Sequence, residues 1–364
     1  MSSEPVAGAG RSLPSGPIGP IGLLVNPMSG RDVRRLLGRA SPEAAGHKRS
    51  VLQRAVVGAA AAGTGRFLWV KDLFRTSEGA LENLRLAGVS LECLDIGKIE
   101  TTPDDTVRAV HAMREAGCSV LLVLGGDGTN RIVASAWPEA TLMPLSTGTN
   151  NVFPESVEAT LAGSAAGLVA SGRVALAEVA TRSKLIWVRT ADGRESLAVI
   201  DVVLLKDDHA GNLLPFEPAK IRRVVLSRAE PDAVGMSPVG GLLLPSRKQD
   251  DFGVVVDCTA ADGGGRPLLV PISPGLYRTA YVKGVRRLDL GKSVRLEGPG
   301  LLEFDGDREI VLAPGEVAEA RVVRDGPLVI EVAKTLSLAA ERGLYLDRPH
   351  WHDEGDSGGG VDCC

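Results

Sequence analysis

The sequence predicts an α/β domain built on a parallel sheet, followed by a strand-rich, all-β second domain. Three observations carry that prediction. The chain has 364 residues, and a single hydrophobic core usually stops growing at about 250 to 300 residues. Between Ile21 and Gly172 short apolar runs alternate with segments of helical period, which is the pattern of successive βα units. After Gly172 the helical period gives way to short apolar runs separated by Gly, Pro and Asp-Gly turns. The chain therefore divides into a Gly-, Pro- and Ser-rich arm over 1–19, an α/β domain over 20–172 and a β-rich domain over 173–328. A helix over 329–346 returns to the first domain, and a tail over 347–364 loses apolar periodicity.

In chain order, "IGLLV" reads as a strand, followed by helical stretches near 31–38 and 48–62, a strand "RFLWV", a helix near 77–87 and a strand "VSLECLD". Residues 104–116 place Val107, Val110 and Met113 on one stripe, with Asp104 and Asp105 in a first turn where the helix dipole favours negative charge. "CSVLLVL" lacks polar alternation, as a central parallel strand covered on both faces should, and "TLMPLS" is its neighbour after a short helix. Val157, Leu161, Ala165 and Leu168 form a further helical stripe ended by Gly172. Beyond it, "VALAEVA", "KLIWVRT", "SLAVIDVVLL", "FGVVVD", "RPLLVPIS", "TAYVKGV", "VRLEG", "LLEF" and "REIVLA" read as strands. Val329, Ala333, Leu336 and Ala340 are spaced for one face of the closing helix.

Composition narrows the function classes. With 44% hydrophobic and 24% charged residues and a formal charge of -4, the chain is an ordinary globular protein and not a polycation seeking nucleic acid. No run approaches the roughly 18 apolar residues of a membrane span, and the N-terminus lacks a secretion signal's apolar core. A cytoplasmic protein without stable membrane association is expected. Cys93, Cys118, Cys258, Cys363 and Cys364 form no CxxC pair and no zinc spacing, so free thiols are expected. His350 and His352 sit in the acidic tail and read as bystanders.

Chemistry concentrates in loops that follow strands. In "LLVLGGDGTNRIV" an Asp-Gly step after a strand would suit a hairpin, but "TNRIVASAW" is helix-compatible and begins with residues suited to a helix N-terminus. A turn bare of side chains at Gly125, Gly126 and Gly128 would then present backbone N–H groups and a positive dipole end to a phosphate. Asp127 would repel that phosphate unless it bound magnesium or accepted a proton from an attacking hydroxyl, which suits phosphoryl transfer. "STGTNNVFP", with Thr147, Gly148, Thr149, Asn150 and Asn151, follows the next strand, and "LVNPMSG", with Asn26, Ser29 and Gly30, follows the first. Ligands bind at that carboxyl edge of a parallel sheet. Each loop is also compatible with plain turn chemistry. Gly291-Lys292-Ser293 is not the end of a P-loop, because Arg286 stands where its first glycine belongs, and "GTGRFL" has Leu68 where G-x-G-x-x-G needs glycine.

Together these residues resemble the superfamily of NAD kinases, diacylglycerol kinases and sphingosine kinases, over roughly residues 20 to 345. Its GGDGT loop is complete at Gly125 to Thr129, its early Asn-Pro is matched by Asn26-Pro27, and the Gly-Thr-x-Asn loop of its lipid-kinase branch by Gly148, Thr149 and Asn151, or Asn150 in its place. "STGTNNVFP" is most similar to the AcoX group, NAD kinase-like proteins associated with acetoin catabolism. The resemblance implies a nucleotide-binding first domain, a substrate-binding second domain, and ATP and magnesium as cofactors. Gly125, Gly126, Gly128 and Thr129 would hold ATP phosphates, Asp127 would bind magnesium or help deprotonate the acceptor, and Asn150 with Asn151 would position nucleotide. In the second domain Ile200-Asp201 stands where NAD kinases have Asn-Glu, "GMSPVGGLLLP" is a loose match to their substrate loop, and Asp305-Gly306-Asp307 resembles their Asp-Gly-Glu turn. That last stretch is equally a plain hairpin turn.

Three functions follow as expectations. The first is an ATP-dependent kinase acting on the 2'-hydroxyl of NAD or a related nucleotide. The second is a lipid kinase, favoured by Gly148-Thr149-x-Asn151 and Asp305-Gly306-Asp307 and opposed by the missing Asp after Asn151 and the absence of a basic amphipathic membrane helix. The third is a nucleotide-binding regulatory protein without turnover, motivated by Ile200-Asp201. A homodimer is expected because relatives commonly assemble through the second domain.

Overall fold

The structure, a computed structural model, describes residues 19–30, 45–147, 151–211 and 217–346. The helix expected near 31–38, the terminal arm and the tail with its histidines and Cys363-Cys364 lie outside the described residues.

The first domain runs β1 (Ile21–Val25), α1 (Ala45–Ala61), β2 (Arg66–Val70), α2 (Thr76–Leu81), β3 (Ser90–Leu94), α3 (Pro103–Glu115), β4 (Val120–Gly125), α4 (Asp127–Ala136), β5 (Thr141–Ser146) and α5 (Ala159–Ala170). A short helix α6 (Leu176–Val179) leads to β6 (Ala180–Arg182). "VALAEVA", expected as one strand, is therefore a helical turn and then a strand. The helix expected near 77–87 stops at Leu81.

The second domain contains β7 (Leu185–Thr190), β8 (Glu195–Ala198), β9 (Asp201–Leu205), β10 (Ile221–Leu226), α7 (Ser237–Gly241), β11 (Phe252–Thr259), β12 (Arg266–Ser273), β13 (Leu276–Asp289), β14 (Ser293–Glu297), β15 (Gly300–Phe304), β16 (Asp307–Leu312) and β17 (Val317–Val323). β18 (Leu328–Ile330) and α8 (Val332–Glu341) close the described chain. "SLAVIDVVLL" is split between β8 and β9. The sequence reading passed over β10 and β17: in "IRRVVL" Arg222 and Arg223 interrupt an otherwise buried run, and in "VAEARVV" two of the three alternate buried positions are the small Ala318 and Ala320.

The first sheet has seven strands in the order β3-β2-β1-β4-β5-β18-β6. β1 to β5 and β18 pair in parallel, while β6 is antiparallel to β18. β4 is buried along its whole length, which explains its unbroken apolar run. The strand order reverses between β1 and β4, so the loops that follow these two strands part there and leave a crevice.

On one face α1 and α5 pack backbone to backbone. A Cβ on Gly163 would lie 1.9 Å from the Ala55 carbonyl oxygen, and one on Gly58 2.0 Å from that of Thr160. This small-residue contact defines the buried face of α5, so the stripe expected from Leu161 is displaced: Leu161 is exposed and Val157 precedes the helix. α8 returns to the first domain beside α5, and Tyr345 beyond it shares a 2.6 Å hydrogen bond with Ser164. Its buried residues are Thr335 and Ala339, whereas Ala333 and Ala340 are exposed, because Leu328–Ile330 is strand and shifts the helical register.

The second domain is two antiparallel sheets, ordered β12-β13-β11-β10-β9-β15-β16 and β14-β17-β7-β8. Val202, Leu204, Val225, Val255 and Phe304 of the larger meet Ile186, Val188, Ala318, Ala320 and Val322 of the smaller in one core. The chain leaves the first sheet through β6 and re-enters through β18. Between them the Ser183 amide donates to the Pro327 carbonyl at 2.9 Å, and the Gly326 amide to the Ser183 carbonyl at 3.1 Å. No helix among the described residues is long and apolar enough to cross a membrane. Cys93 is exposed, Cys118 and Cys258 are buried, and all three are free thiols.

Candidate active site

The crevice at the carboxyl edge of the first sheet opens into a cleft of about 650 Å³ whose far wall is the second domain. Of the residues singled out in the sequence, Asn26, Ser29, Gly126, Asp127, Gly128, Thr129, Asn151, Asp201, Asp305 and Asp307 line it together. Gly125 and Thr147 do not line it. Gly148, Thr149 and Asn150 lie outside the described residues.

The two loops at the strand reversal are tied to each other. The Asn26 amide donates to the Leu124 carbonyl at 2.9 Å, and its Nδ2 to Thr129 Oγ1 at 2.8 Å. Asn26 Oδ1 accepts from the Met28 amide at 2.9 Å, the local turn that lets Asn-Pro leave a strand. Beneath this loop lies Lys48, 1% exposed, whose Nζ donates to the carbonyls of Asn26 and Pro27 at 2.9 Å and to that of Ser29. The sequence reading missed Lys48. Its signal is a lysine one turn before Val51 and Leu52, on the stripe that α1 buries. Thr147 Oγ1 donates to Ser29 Oγ at 3.1 Å, joining the third loop to the first.

Gly125 to Thr129 is strand, turn and helix start, not a hairpin. Gly126 occupies the N-cap of α4, and no side chain caps the helix. Its first amides therefore face the cleft as an anion-binding end. Space explains the glycines. A Cβ on Gly125 would come within 2.5 Å of Thr129, and one on Gly126 within 2.8 Å of Asn151 Oδ1. Asn151 is held in turn by a 2.9 Å bond from its Nδ2 to Ser146 Oγ.

Asp127 lines the cleft and accepts from the Val152 amide at 3.1 Å and the Phe153 amide at 2.8 Å. Burial, and then the nearby Asp305 carboxylate, push it up to about 7 despite those two amides. Across the cleft, Asp305 and Gly306 both have positive φ, 48° and 99°, and join β15 to β16 as a two-residue hairpin turn. The Asp305 carboxylate reaches back to accept from the amides of Val199, Ile200 and Asp201 at 2.7, 2.8 and 3.0 Å. Burial raises it to about 6, with Arg131 the largest opposing influence. Arg131, on α4, donates to Asp307 at 2.8 Å and to Glu309 at 2.5 Å, and so bridges the domains. Asp201 is buried beside Glu303, which is fully buried and accepts from the Gly306 amide. Burial, and then Glu303, hold Asp201 well above the usual carboxylate range.

Among the described residues no group of three or more His, Cys, Asp or Glu converges to hold a metal. Magnesium carried with a triphosphate takes one or two carboxylates and fills its remaining positions with phosphate and water. A carboxylate raised by burial and a like-charged neighbour is a donor that such a cation would favour, and Asp127 is that group.

Comparison with known proteins agrees with this architecture. Residues 21–174 match the ATP-NAD kinase N-terminal domain, and residues 184–325 the acetoin catabolism protein X C-terminal domain. Over 352 residues the chain is 30% identical to acetoin catabolism protein X of Cupriavidus necator, covering 94% of this chain and 97% of that protein. Yeast NADH kinase, solved in complex with NADH, shares the fold with a TM-score of 0.52 at 12% identity, over 92% of this chain and 90% of that one. The chain belongs to the acetoin catabolism protein X family, within the NAD kinase-like superfamily.

Proposed function

We propose that this protein is an ATP-dependent kinase that phosphorylates the 2'-hydroxyl of NAD or a related nucleotide. The observation that carries the reading is Asp127: a carboxylate fixed by two backbone amides beside an uncapped helix start, in an interdomain cleft, and raised to about 7. A general base works best when its pKa lies near the working pH. The acceptor oxygen attacks the terminal phosphorus of ATP, its proton passes to Asp127, the new O–P bond forms, and the bond to the bridging oxygen of ADP breaks. The amides at the start of α4 stabilise the charge on the transferred group, and Asn26 and Asn151 fix the shape of the loops around it. Magnesium, when bound with the triphosphate, would be held on this chain by Asp127 and supplies charge neutralisation.

The cleft is a mixed slot and not an apolar funnel. Val70, Ile96 and Ile99 of the first domain and Val234, Met236 and Ile272 of the second line it together with the polar loops. That combination suits heteroaromatic rings joined by ribose and phosphate better than an acyl chain, which supports a nucleotide over a lipid acceptor. The name of the Cupriavidus relative supports placing the activity beside acetoin breakdown. A homodimer through the second domain is supported by exposed Leu269, Tyr277 and Val285 on β12 and β13.

Purified protein with ATP, magnesium and NAD should form NADP, and Asp127→Asn should lower turnover by about a thousandfold. A rate that rises with pH through about 7 identifies Asp127 as the proton acceptor. A pH-independent loss relieved by excess magnesium assigns it to the metal. ATP binding without transfer to any nucleotide or lipid acceptor would replace the kinase reading with a regulatory one, the reading motivated by Ile200-Asp201.

A further inference from the structure

The second-domain wall of the cleft has an electrostatic character that phosphate transfer alone does not require. Ser273, at the end of β12, is 2% exposed, lines the cleft, and its Oγ has no hydrogen-bond partner among the described residues. Asp201, 7% exposed, lines the same cleft, and its Oδ1 likewise has no partner there. Buried polar groups are ordinarily satisfied, so two open ones on one cleft wall mark a place where a ligand completes the bonding.

The charges sort the ligand. Among the described residues this wall contributes Asp201, Glu303, Asp305 and Asp307 but no Lys, Arg or His. Arg131 answers Asp307, and three amides answer Asp305. Arg228, whose field reaches Asp127, is paired with Glu230 at 2.7 Å and does not line the cleft. The charged groups that raise Asp201 are Glu303, Asp305 and Asp127, and a side-chain hydrogen bond joins Asp201 to Glu303, so that this carboxyl pair shares a proton. Val234, Met236 and Ile272 flank these polar groups with apolar surface suited to a ring or a short carbon chain.

We infer that Asp201, Glu303 and Ser273 form a subsite for a positively charged nitrogen of the acceptor, and that this subsite turns away anionic acceptors. The inference rests on reading the cleft as the place where an acceptor alcohol binds. Ser273 Oγ and Asp201 Oδ1 accept from the ligand, and the hydrogen-bonded Asp201–Glu303 pair supplies the negative centre beside them. In a nicotinamide dinucleotide the group recognised is the pyridinium of the oxidised form, a charge that the reduced ring lacks. In an amino alcohol it is the ammonium.

The test is a charge series of one shape, measured by calorimetry or saturation-transfer NMR without ATP. The probes are the N-methylnicotinamidium cation, neutral nicotinamide and anionic nicotinate, followed by NAD against NADH and by ethanolamine. The cation should bind about tenfold more tightly than the neutral ring, and the anion more weakly still. Asp201→Asn and Glu303→Gln, near-isosteric and checked for folding by circular dichroism, should each compress the series towards equal affinity. Ser273→Ala should weaken cation and neutral ring alike. A preference for ethanolamine over every pyridine assigns the site to ammonium, whereas one for NAD over NADH assigns it to pyridinium. Equal affinity across the series, a best-bound anion, no binding by any cationic probe, or a preference that survives both carboxyl variants overturns the inference. Charge preference without NADP formation would sink the NAD reading alone, and NADP formation without charge preference would sink this inference alone.

Discussion

Asp127 of the first domain and Asp305 of the second face each other across the cleft floor, and both are pushed up by burial, yet they come to rest at about 7 and about 6. Their partners account for the difference. Asp305 accepts from three amides and feels Arg131, while Asp127 accepts from two and feels the Asp305 carboxylate as its largest charged neighbour. Each amide directed at a carboxylate favours its ionised form, and a nearby like charge disfavours it. Asp305 is thus an ionised anchor near neutral pH, holding the β8–β9 turn against its hairpin. Asp127 sits near half-ionisation, where a proton moves on and off at little cost.

That contrast can be broken most sharply by exchanging each carboxyl for its amide. Asp127→Asn should cost about a thousandfold in turnover, with a melting temperature equal to or above the parent's, since it removes a buried like charge. Asp305→Asn tolerates the positive φ but turns one amide hydrogen against a donor, so it should lose about 1 to 3 kcal/mol of stability and only about tenfold in rate. Calorimetry and initial rates on the two variants should move in opposite order, and equal rate losses would mean that Asp305 also touches the reaction.

The next effect is the dependence of stability on pH. Both groups bind a proton more tightly folded than unfolded, so each favours the native state fully at low pH. That advantage disappears as pH rises from the ordinary carboxylate value near 4 through about 6 for Asp305 and about 7 for Asp127. The melting temperature of the wild type minus that of Asp127→Asn should fall across this window and level off above it. A difference that rose with pH would show that Asp127 is stabilised as the ion.

The smallest effect sharpens the comparison. Arg131→Gln removes the cation that separates the two aspartates, at about 1 kcal/mol because Asp307 and Glu309 are both partly exposed. Asp305 should then titrate closer to Asp127, which carboxyl chemical shifts would report.

The first-domain half of the site was legible because each loop is contiguous: Asn26-Pro27 and Gly125 to Thr129 carry their geometry in neighbouring residues. The strands were legible wherever apolar runs were unbroken, as in β4. Of the second-domain half, Asp201, Asp305 and Asp307 were named through the resemblance, but Ser273 and Glu303 were not: they lie on strands far apart in sequence, and Glu303 comes beside Asp201 only when β9 pairs with β15. Lys48 escaped for the same reason, because its acceptors are carbonyls, which leave no trace in composition. On α5 the glycines that contact α1 define the buried face, and a search for large apolar residues passes over them.

Because β6 and β18 lie side by side and the chain between them closes across Ser183, Gly326 and Pro327, the whole second-domain wall hangs from one narrow gate in the first sheet. Removing that wall would leave two strand ends already adjacent, needing only a short turn to join them. On the proposed function the fold would be a phosphate-handling chassis with an exchangeable cassette: a new acceptor would be taken up by changing what lies beyond the gate, without disturbing the sheet, the α1–α5 pair or the loops they carry.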